Sequence, residues 1–343
     1  MQRQSIPPIN DSNKYPFLTN FPPLANYNNL ITVKFIVNLW KFSRPHTIIG
    51  SFISITVLFF LSIHNSLPIS QNNYITYIYT LISALFCNLY ITGLNQIHDL
   101  EIDRINKPQL PLASGAMSLF QAKQIVLFSL LMALVLSFIQ SLFFGALISL
   151  ICLLGWAYSA PPIRFKRHHV WAASAIAVVR GPLVNIGIGL HLIEKSQGYY
   201  THLNFWENLL LKSVPHWNWL IPISIFVTAF SLGIAWFKDL PDTEGDQQHH
   251  IKTLAVTAGK QRAFYSGFIL VGLAYVFLLI YVGSAVIKPF ASLQPFIYLT
   301  ALFFAVFLWM GFRIKLNDKL SLKWFYKVYW VLFFGGYLSF VLL

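Results

Sequence analysis

The strongest constraint on this chain is a set of apolar runs, each close to 20 residues long, recurring along nearly its whole length. They fall near 45–64, 75–98, 121–140, 142–160, 170–191, 217–238, 262–283, 293–312 and 325–343. About 20 residues of helix span the hydrocarbon core of a bilayer. In lipid the backbone must satisfy its own hydrogen bonds, which leaves helices or closed barrels. The spans predict an all-α polytopic membrane protein with nine transmembrane helices. Composition agrees, since 10% of residues are charged against about a quarter in soluble domains. The net charge of +13 would suggest nucleic acid in a soluble chain. Here it reads as basic loop charge, and no nucleic-acid partner is expected.

Residues 1–28 are rich in Pro, Asn and Ser and lack an apolar core. They read as a disordered N-terminal tail preceding a membrane domain over 29–343. Residues 29–43 mix apolar and basic positions, as an interfacial helix would. The third and fourth spans nearly touch at Gln140-Ser141 and predict a tight helical hairpin. Cys87 and Cys152 lie inside apolar runs and read as buried, reduced packing residues.

Alternating the loops between two sides puts twenty of the 24 Lys and Arg residues on one side. Only Lys195, Lys212 and Lys288 lie on the other. The bias predicts that the basic side is cytoplasmic or stromal.

The acids are as uneven. Seven of eleven fall in two short stretches, 95–103 and 239–246. Asn95, Asp99 and Asp103 are spaced at i, i+4 and i+8, which on a helix is one face; Glu101 falls off it. Asp239, Asp242 and Asp246 are spaced at i, i+3 and i+7. Asp242 and Asp246 follow Asp99 and Asp103 at a common interval of 143 residues. The chain reads as two similar halves, each bringing an acidic helix end to one site. Carboxylates at the end of a membrane helix are costly. A hard cation such as Mg²⁺, which takes oxygen ligands and shares itself with substrate phosphates, would explain them.

Basic residues flank both stretches. Arg104 and Lys107 follow the first, and Lys238 abuts the second. Arg164 and Lys166 stand on the Pro-stiffened connection that begins at Tyr158. All five are candidates for binding an anion beside the metal, against a plainer role as topology charge. Arg180 lies inside the fifth span, before Gly181-Pro182, with Asn185 about one turn on; an intramembrane arginine needs a partner or a water-filled space. The ten His residues form no metal-ligand array, although His98 adjoins the first acidic stretch.

These residues resemble the UbiA superfamily of intramembrane aromatic prenyltransferases. The resemblance rests on Asn95-x₃-Asp99-x₃-Asp103, on Tyr158-Ser-x₂-Pro162-x-Arg164-x-Lys166, and on Asp242-x₃-Asp246. It covers nearly everything from Phe42 onward. A narrower likeness, to the homogentisate phytyltransferase group, is carried by Ser43-Arg-Pro-His-Thr-Ile-Ile-Gly50, Asp103-Arg-Ile-Asn-Lys-Pro, Leu110-Pro-Leu-Ala-Ser-Gly115 and Phe237-Lys-Asp-x-Pro-Asp-x-Glu-Gly-Asp246.

The resemblance implies nine helices around a central cavity and Mg²⁺-dependent transfer of a phytyl group from its diphosphate to decarboxylating homogentisate. It implies Asp99, Asp103, Asp242 and Asp246 as catalytic acids, with Asn95 and Asp239 completing the metal set. Arg104, Lys107, Arg164, Lys166 and Lys238 would take the diphosphate. His98, Arg180, Asn185 and Tyr158 are candidates for the aromatic substrate. Membrane lipid is the surrounding partner. A solanesyl-transferring relative or chlorophyll synthase is the neighbouring alternative. A cation-coupled transporter is the alternative from another class, distinguished by the absence of Mg²⁺-dependent pyrophosphate release.

Overall fold

The computed structural model describes residues 24–63, 70–196, 206–207, 213–243, 247, 252–283 and 290–343. Nine helices among the described residues are long and apolar enough to cross a membrane, as the sequence predicts. After α1 (Leu24–Phe42) come α2 (Pro45–Ile63), α3 (Gln71–His98) and the short α4 (Leu100–Asn106). Then α5 (Leu119–Gln140) and α6 (Leu142–Ser159) form the predicted hairpin. Ser141 closes α5 and opens α6, its Oγ accepting the Phe144 N–H at 3.1 Å. The fifth span is compound: α7 (His169–Val178), a π-helical segment (Val179–Ile188) and α8 (Gly189–Ser196). The rest are α9 (Trp217–Phe237), the single turn α10 (Leu254–Thr257), α11 (Lys260–Gly283), α12 (Phe290–Arg313) and α13 (Lys319–Ser339). Because α1 begins at Leu24, it starts inside the stretch read as tail; residues 1–23 lie outside the described residues. The ninth span begins at Lys319 rather than 325, because Asp318 caps it by accepting the Leu320 N–H at 2.9 Å.

Consecutive spans pack side by side, and α13 returns against α2, so the nine spans form a closed ring. The sixth span is the most enclosed, with 72% of its apolar window buried against 28–50% in the others. Phe226, Phe230 and Phe237 of α9 meet Tyr275 and Phe264 of α11 and Tyr329, Phe325 and Phe333 of α13. Helices in lipid gain little from burying apolar surface against each other, so close packing must hold them. Gly181 shows the need: a Cβ there would collide with Thr228 Oγ1 of α9. Large apolar side chains such as Leu142, Phe312 and Val331 stand exposed, the surface expected toward acyl chains.

The π-helical segment has a local cause. Pro182 lacks an N–H and clashes with the preceding turn, and the chain responds by widening. Within this segment the carbonyls of Arg180 and Gly181 each accept from Asn185 Nδ2 at 2.8 Å. Asn185 Oδ1 accepts in turn from the Tyr337 hydroxyl of α13.

Candidate active site

The first acidic stretch bends rather than running as one straight helix. Asp99 ends α3, its N–H donating to Asn95 O at 3.0 Å, while its carbonyl accepts the Asp103 N–H at 2.7 Å. Its φ of −106° and ψ of 9° leave helical values, so α4 departs at a kink. Each of the three predicted residues nevertheless meets a cation. Asn95 Oδ1 accepts from Arg44 Nη2 at 3.1 Å. Asp99 Oδ1 accepts from Lys166 Nζ at 2.6 Å and from Arg164 Nη2 at 3.3 Å. Lys107 Nζ stands 3.9 Å from Asp103 Oδ1. Glu101 points away, as its spacing predicts.

Arg104 does not join this cluster. It pairs with Glu101 at 3.1 Å on the exposed face, because position i+1 after Asp103 turns it outward.

The basic connection is built to reach Asp99. After α6 ends at Ser159, Arg164 adopts a left-handed conformation (φ 45°, ψ 60°) and opens a 3₁₀ turn over Phe165–Arg167. Its N–H donates to Ala160 O at 2.9 Å, and its Nη2 also donates to His98 O at 3.3 Å. That places His98 beside the basic turn. Among the described residues, two non-glycine residues have positive φ, Arg44 at 53° and Arg164 at 45°. Both are arginines touching the first acidic stretch. Such backbone costs of order 1–3 kcal/mol each and collects at functional sites.

The second stretch departs from the predicted helical face. Helix α9 stops at Phe237, and residues 238–242 are turns. Leu240 N–H reaches Phe237 O and Asp242 N–H reaches Asp239 O, both at 3.3 Å. Pro241 explains the stop: it has no N–H and disfavours helical backbone at Leu240. Asp246 and Glu244 lie outside the described residues.

The two stretches share a basin through Lys107. It interacts electrostatically with Asp103 and Asp99 and with Lys238, and Asp239 in turn interacts with Lys107, Lys238 and Asp242. The Tyr158 phenol and the Asp239 carboxylate hold Lys238 above its ordinary pKa against its burial. Burial lowers the pKa of Lys107 and Lys166, with their acidic neighbours opposing the shift. Burial raises Asp103 and Asp239. Asp103 is 4% exposed, and its buried Oδ2 has no hydrogen-bond partner.

That orphaned oxygen suits a cation, Asp99 lies within electrostatic range of Asp103, and carboxylates are the hard oxygen ligands Mg²⁺ prefers. Among the described residues no three His, Cys, Asp or Glu side chains form a ready cage. A loose set is compatible with Mg²⁺, which keeps several waters and binds through one or two carboxylates plus substrate phosphates.

A second group lies on the inner side of the ring. The Arg180 guanidinium carbon sits 5.5 Å from the Trp330 ring centre, and His46 meets the same ring edge-on at 5.2 Å. Arg180 Nη1 is buried without a partner. Tyr158 and Tyr326 are within electrostatic range of both Arg180 and Lys238. Arg180 and Tyr158 therefore gather where sequence placed candidates for an aromatic ligand. Asn185 does not: it is 0% exposed and spent on the π-helical carbonyls and Tyr337. Asn185→Ala should destabilise the protein by about 1–2 kcal/mol, the scale of intramembrane hydrogen bonds. Equilibrium unfolding in mixed micelles reads this, and an unchanged midpoint would remove the bracing role.

Sequence reasoning missed Arg44, His46, Tyr326 and Trp330 as site residues. Arg44 and His46 stand in the Ser43–Gly50 motif that carries the narrower likeness, and that motif was the available signal for them. Tyr326 and Trp330 are two of the chain's 57 Phe, Tyr and Trp residues and carry no local mark.

Comparison with known proteins agrees with this fold. The UbiA prenyltransferase family matches residues 51–335. Homogentisate phytyltransferase of Synechocystis is 35% identical over 311 residues, covering 88% of this chain and 94% of that one. Homogentisate phytyltransferase 1 of Arabidopsis thaliana is 35% identical over 305 residues, covering 87% and 73%. Homogentisate solanesyltransferase of Arabidopsis thaliana is 33% identical over 314 residues, covering 88% and 75%. A solved digeranylgeranylglyceryl phosphate synthase structure superposes with a TM-score of 0.61 at 21% identity, covering 89% of this chain and 97% of that one. A UbiA homologue from Archaeoglobus fulgidus, bound to GPP and Mg²⁺, gives 0.54 at 18% identity, covering 89% and 99%. Two acidic turns facing one basin, inside a closed ring of nine spans matched over most of its length, make this chain an integral membrane member of the UbiA prenyltransferase family.

Proposed function

We propose that this enzyme transfers a phytyl group from phytyl diphosphate to homogentisate, releasing pyrophosphate and carbon dioxide, to give 2-methyl-6-phytyl-1,4-benzoquinol for tocopherol synthesis. The observation that carries the reading is Lys107 between two acidic turns, with Arg164 and Lys166 meeting on Asp99 beside it. The names of the relatives support the substrate pair. The basic-loop bias supports an active site on the cytoplasmic or stromal side.

Asp99, Asp103, Asp239 and Asp242 would hold Mg²⁺, with Asn95 beside them and Asp246 completing the set. A Mg²⁺ ion held by these residues would supply Lewis-acid charge neutralisation and a template for the diphosphate. Lys166, Arg164, Lys107 and Lys238 bind the phosphate oxygens, Arg164 as a fork and the lysines as point charges. The surrounding apolar helices keep water from the allylic carbon. Arg180, already short of a partner, takes the homogentisate carboxylate, while Trp330, Tyr326 and Tyr158 bound the ring.

Purified protein given homogentisate with phytyl, geranylgeranyl or solanesyl diphosphate tests the reading. Phytyl diphosphate should give the highest kcat/KM, with Mg²⁺-dependent pyrophosphate release. A higher value for another donor would transfer the assignment to that chain length, and no prenylated product from homogentisate would end it. Arg180→Gln should raise the KM for homogentisate about tenfold to a hundredfold, the scale of a charged hydrogen bond, with the prenyl diphosphate KM unchanged. A change confined to the diphosphate KM would take Arg180 out of the aromatic seat.

A further inference from the structure

The turn that delivers Arg164 and Lys166 to Asp99 runs on into a region the proposed reaction does not use. A cavity of about 300 Å³ opens there, lined by His168, His169, Val170, Trp171, Lys252 and Thr257. That volume is at the lower end of small-molecule sites. Its two walls are tied together. His168 and Lys252 form an isolated parallel bridge, and His169 Nδ1 lies 3.2 Å from Lys252 O.

Position and chemistry narrow the occupant. His169 is the first residue of the fifth membrane span, so the cavity sits where that span enters the bilayer. Val170 and Trp171 are 59% and 60% exposed, and Phe165 stacks on Trp171 at 6.1 Å. An exposed tryptophan at a helix entry marks the interfacial belt. Among the described lining residues three side chains are basic and none is acidic; Asp239, in the acidic basin, lies within electrostatic range of His169. Basic pockets at such a depth take anionic headgroups.

We propose that this cavity binds the headgroup of an anionic phospholipid, with Lys252 and His168 on the phosphate and Trp171 against the glycerol and upper acyl chain. A zwitterionic headgroup is disfavoured, because its ammonium finds no carboxylate among the described lining residues. A free phosphate would leave the exposed surface of Val170 and Trp171 uncovered. The bound lipid braces the turn that carries Arg164 and Lys166.

The test uses the full chain in a neutral detergent, titrated with phosphatidylglycerol, phosphatidylcholine or inorganic phosphate and read by thermal melting. A ligand that binds only the folded state raises the melting temperature with concentration. Phosphatidylglycerol should raise it by several degrees in the wild type, and the other two should not. Lys252→Glu should abolish the rise and Lys252→Gln reduce it; the milder variant keeps the test valid if charge reversal prevents folding. An equal rise with phosphatidylcholine, or an undiminished rise in Lys252→Gln, would overturn the proposal. A rise reproduced by inorganic phosphate would reassign the cavity to the free ion. None of these readouts depends on catalysis, so they stand apart from the homogentisate assay.

Discussion

Asp103→Asn should lower turnover by about a thousandfold or more while leaving the metal-free protein as stable as the wild type, or more so. The activity loss follows from removing an oxygen that would hold the cation neutralising the leaving diphosphate, a contribution of several kcal/mol. The stability gain follows from burial. Asp103 is 4% exposed, has a buried Oδ2 with no partner, and has its pKa raised by desolvation. A carboxylate with a raised folded-state pKa costs stability once pH rises through that value, and the cost is absent below the unfolded-state value. Asparagine removes the charge and keeps the shape. Asp99→Asn and Asp242→Asn should match the activity loss. Glu101→Gln, on the exposed face, should stay within about twofold. Turnover at saturating Mg²⁺ and melting in chelator check both halves. Activity within tenfold of wild type for Asp103→Asn and Asp242→Asn together would defeat the two-turn site. A large drop in melting temperature would show Asp103 to be structural.

Arg164→Ala should raise the KM for prenyl diphosphate, or lower kcat, by about tenfold to a hundredfold, from charged hydrogen bonds worth roughly 1.5–3 kcal/mol. Lys166→Met should do likewise. Both cations converge on Asp99 Oδ1, at 3.3 and 2.6 Å, which is the arrangement expected of a resting site holding its own counter-ions. Arg164→Lys should recover only part of the loss, because an ammonium cannot supply a planar fork. Steady-state titration of both substrates separates the roles. If only the homogentisate KM moves, Arg164 serves the aromatic acid. If neither moves, the two cations serve topology alone.

The fold was legible because the bilayer dictates it. A span needs about 20 apolar residues, and that length is countable, so the hairpin at Gln140-Ser141 and the span order follow directly. The acids were legible because charge is rare here, and its clustering at Asp99, Asp103, Asp239 and Asp242 stands out. What was not legible depends on backbone detail. Pro241 ends α9 before the second stretch, so a face inferred from helical spacing became a turn. Pro182 widens the fifth span and consumes Asn185, which spacing had offered to a ligand. Arg104 and Arg164 look alike as sequence, yet one turns outward to Glu101 and the other is swung inward by a left-handed residue.

The π-helical segment has a consequence for how the protein is made. Arg180 and Asn185 enter the membrane with the fifth span, well before Trp330 and Tyr337 exist, although the Asn185 amide nitrogen already donates to carbonyls of its own span. Trp330, Tyr326 and Tyr337 all belong to α13, roughly 150 residues later in synthesis. An arginine and an asparagine exposed to hydrocarbon are costly, so the half-made chain must keep this span near water, the translocation machinery or a neighbouring helix. Arrival of α13 satisfies the Tyr337 bond, lays Trp330 against the guanidinium and closes the ring in one event. Arrival of α13 is therefore the step after which the fifth span no longer leaves these polar groups to the hydrocarbon.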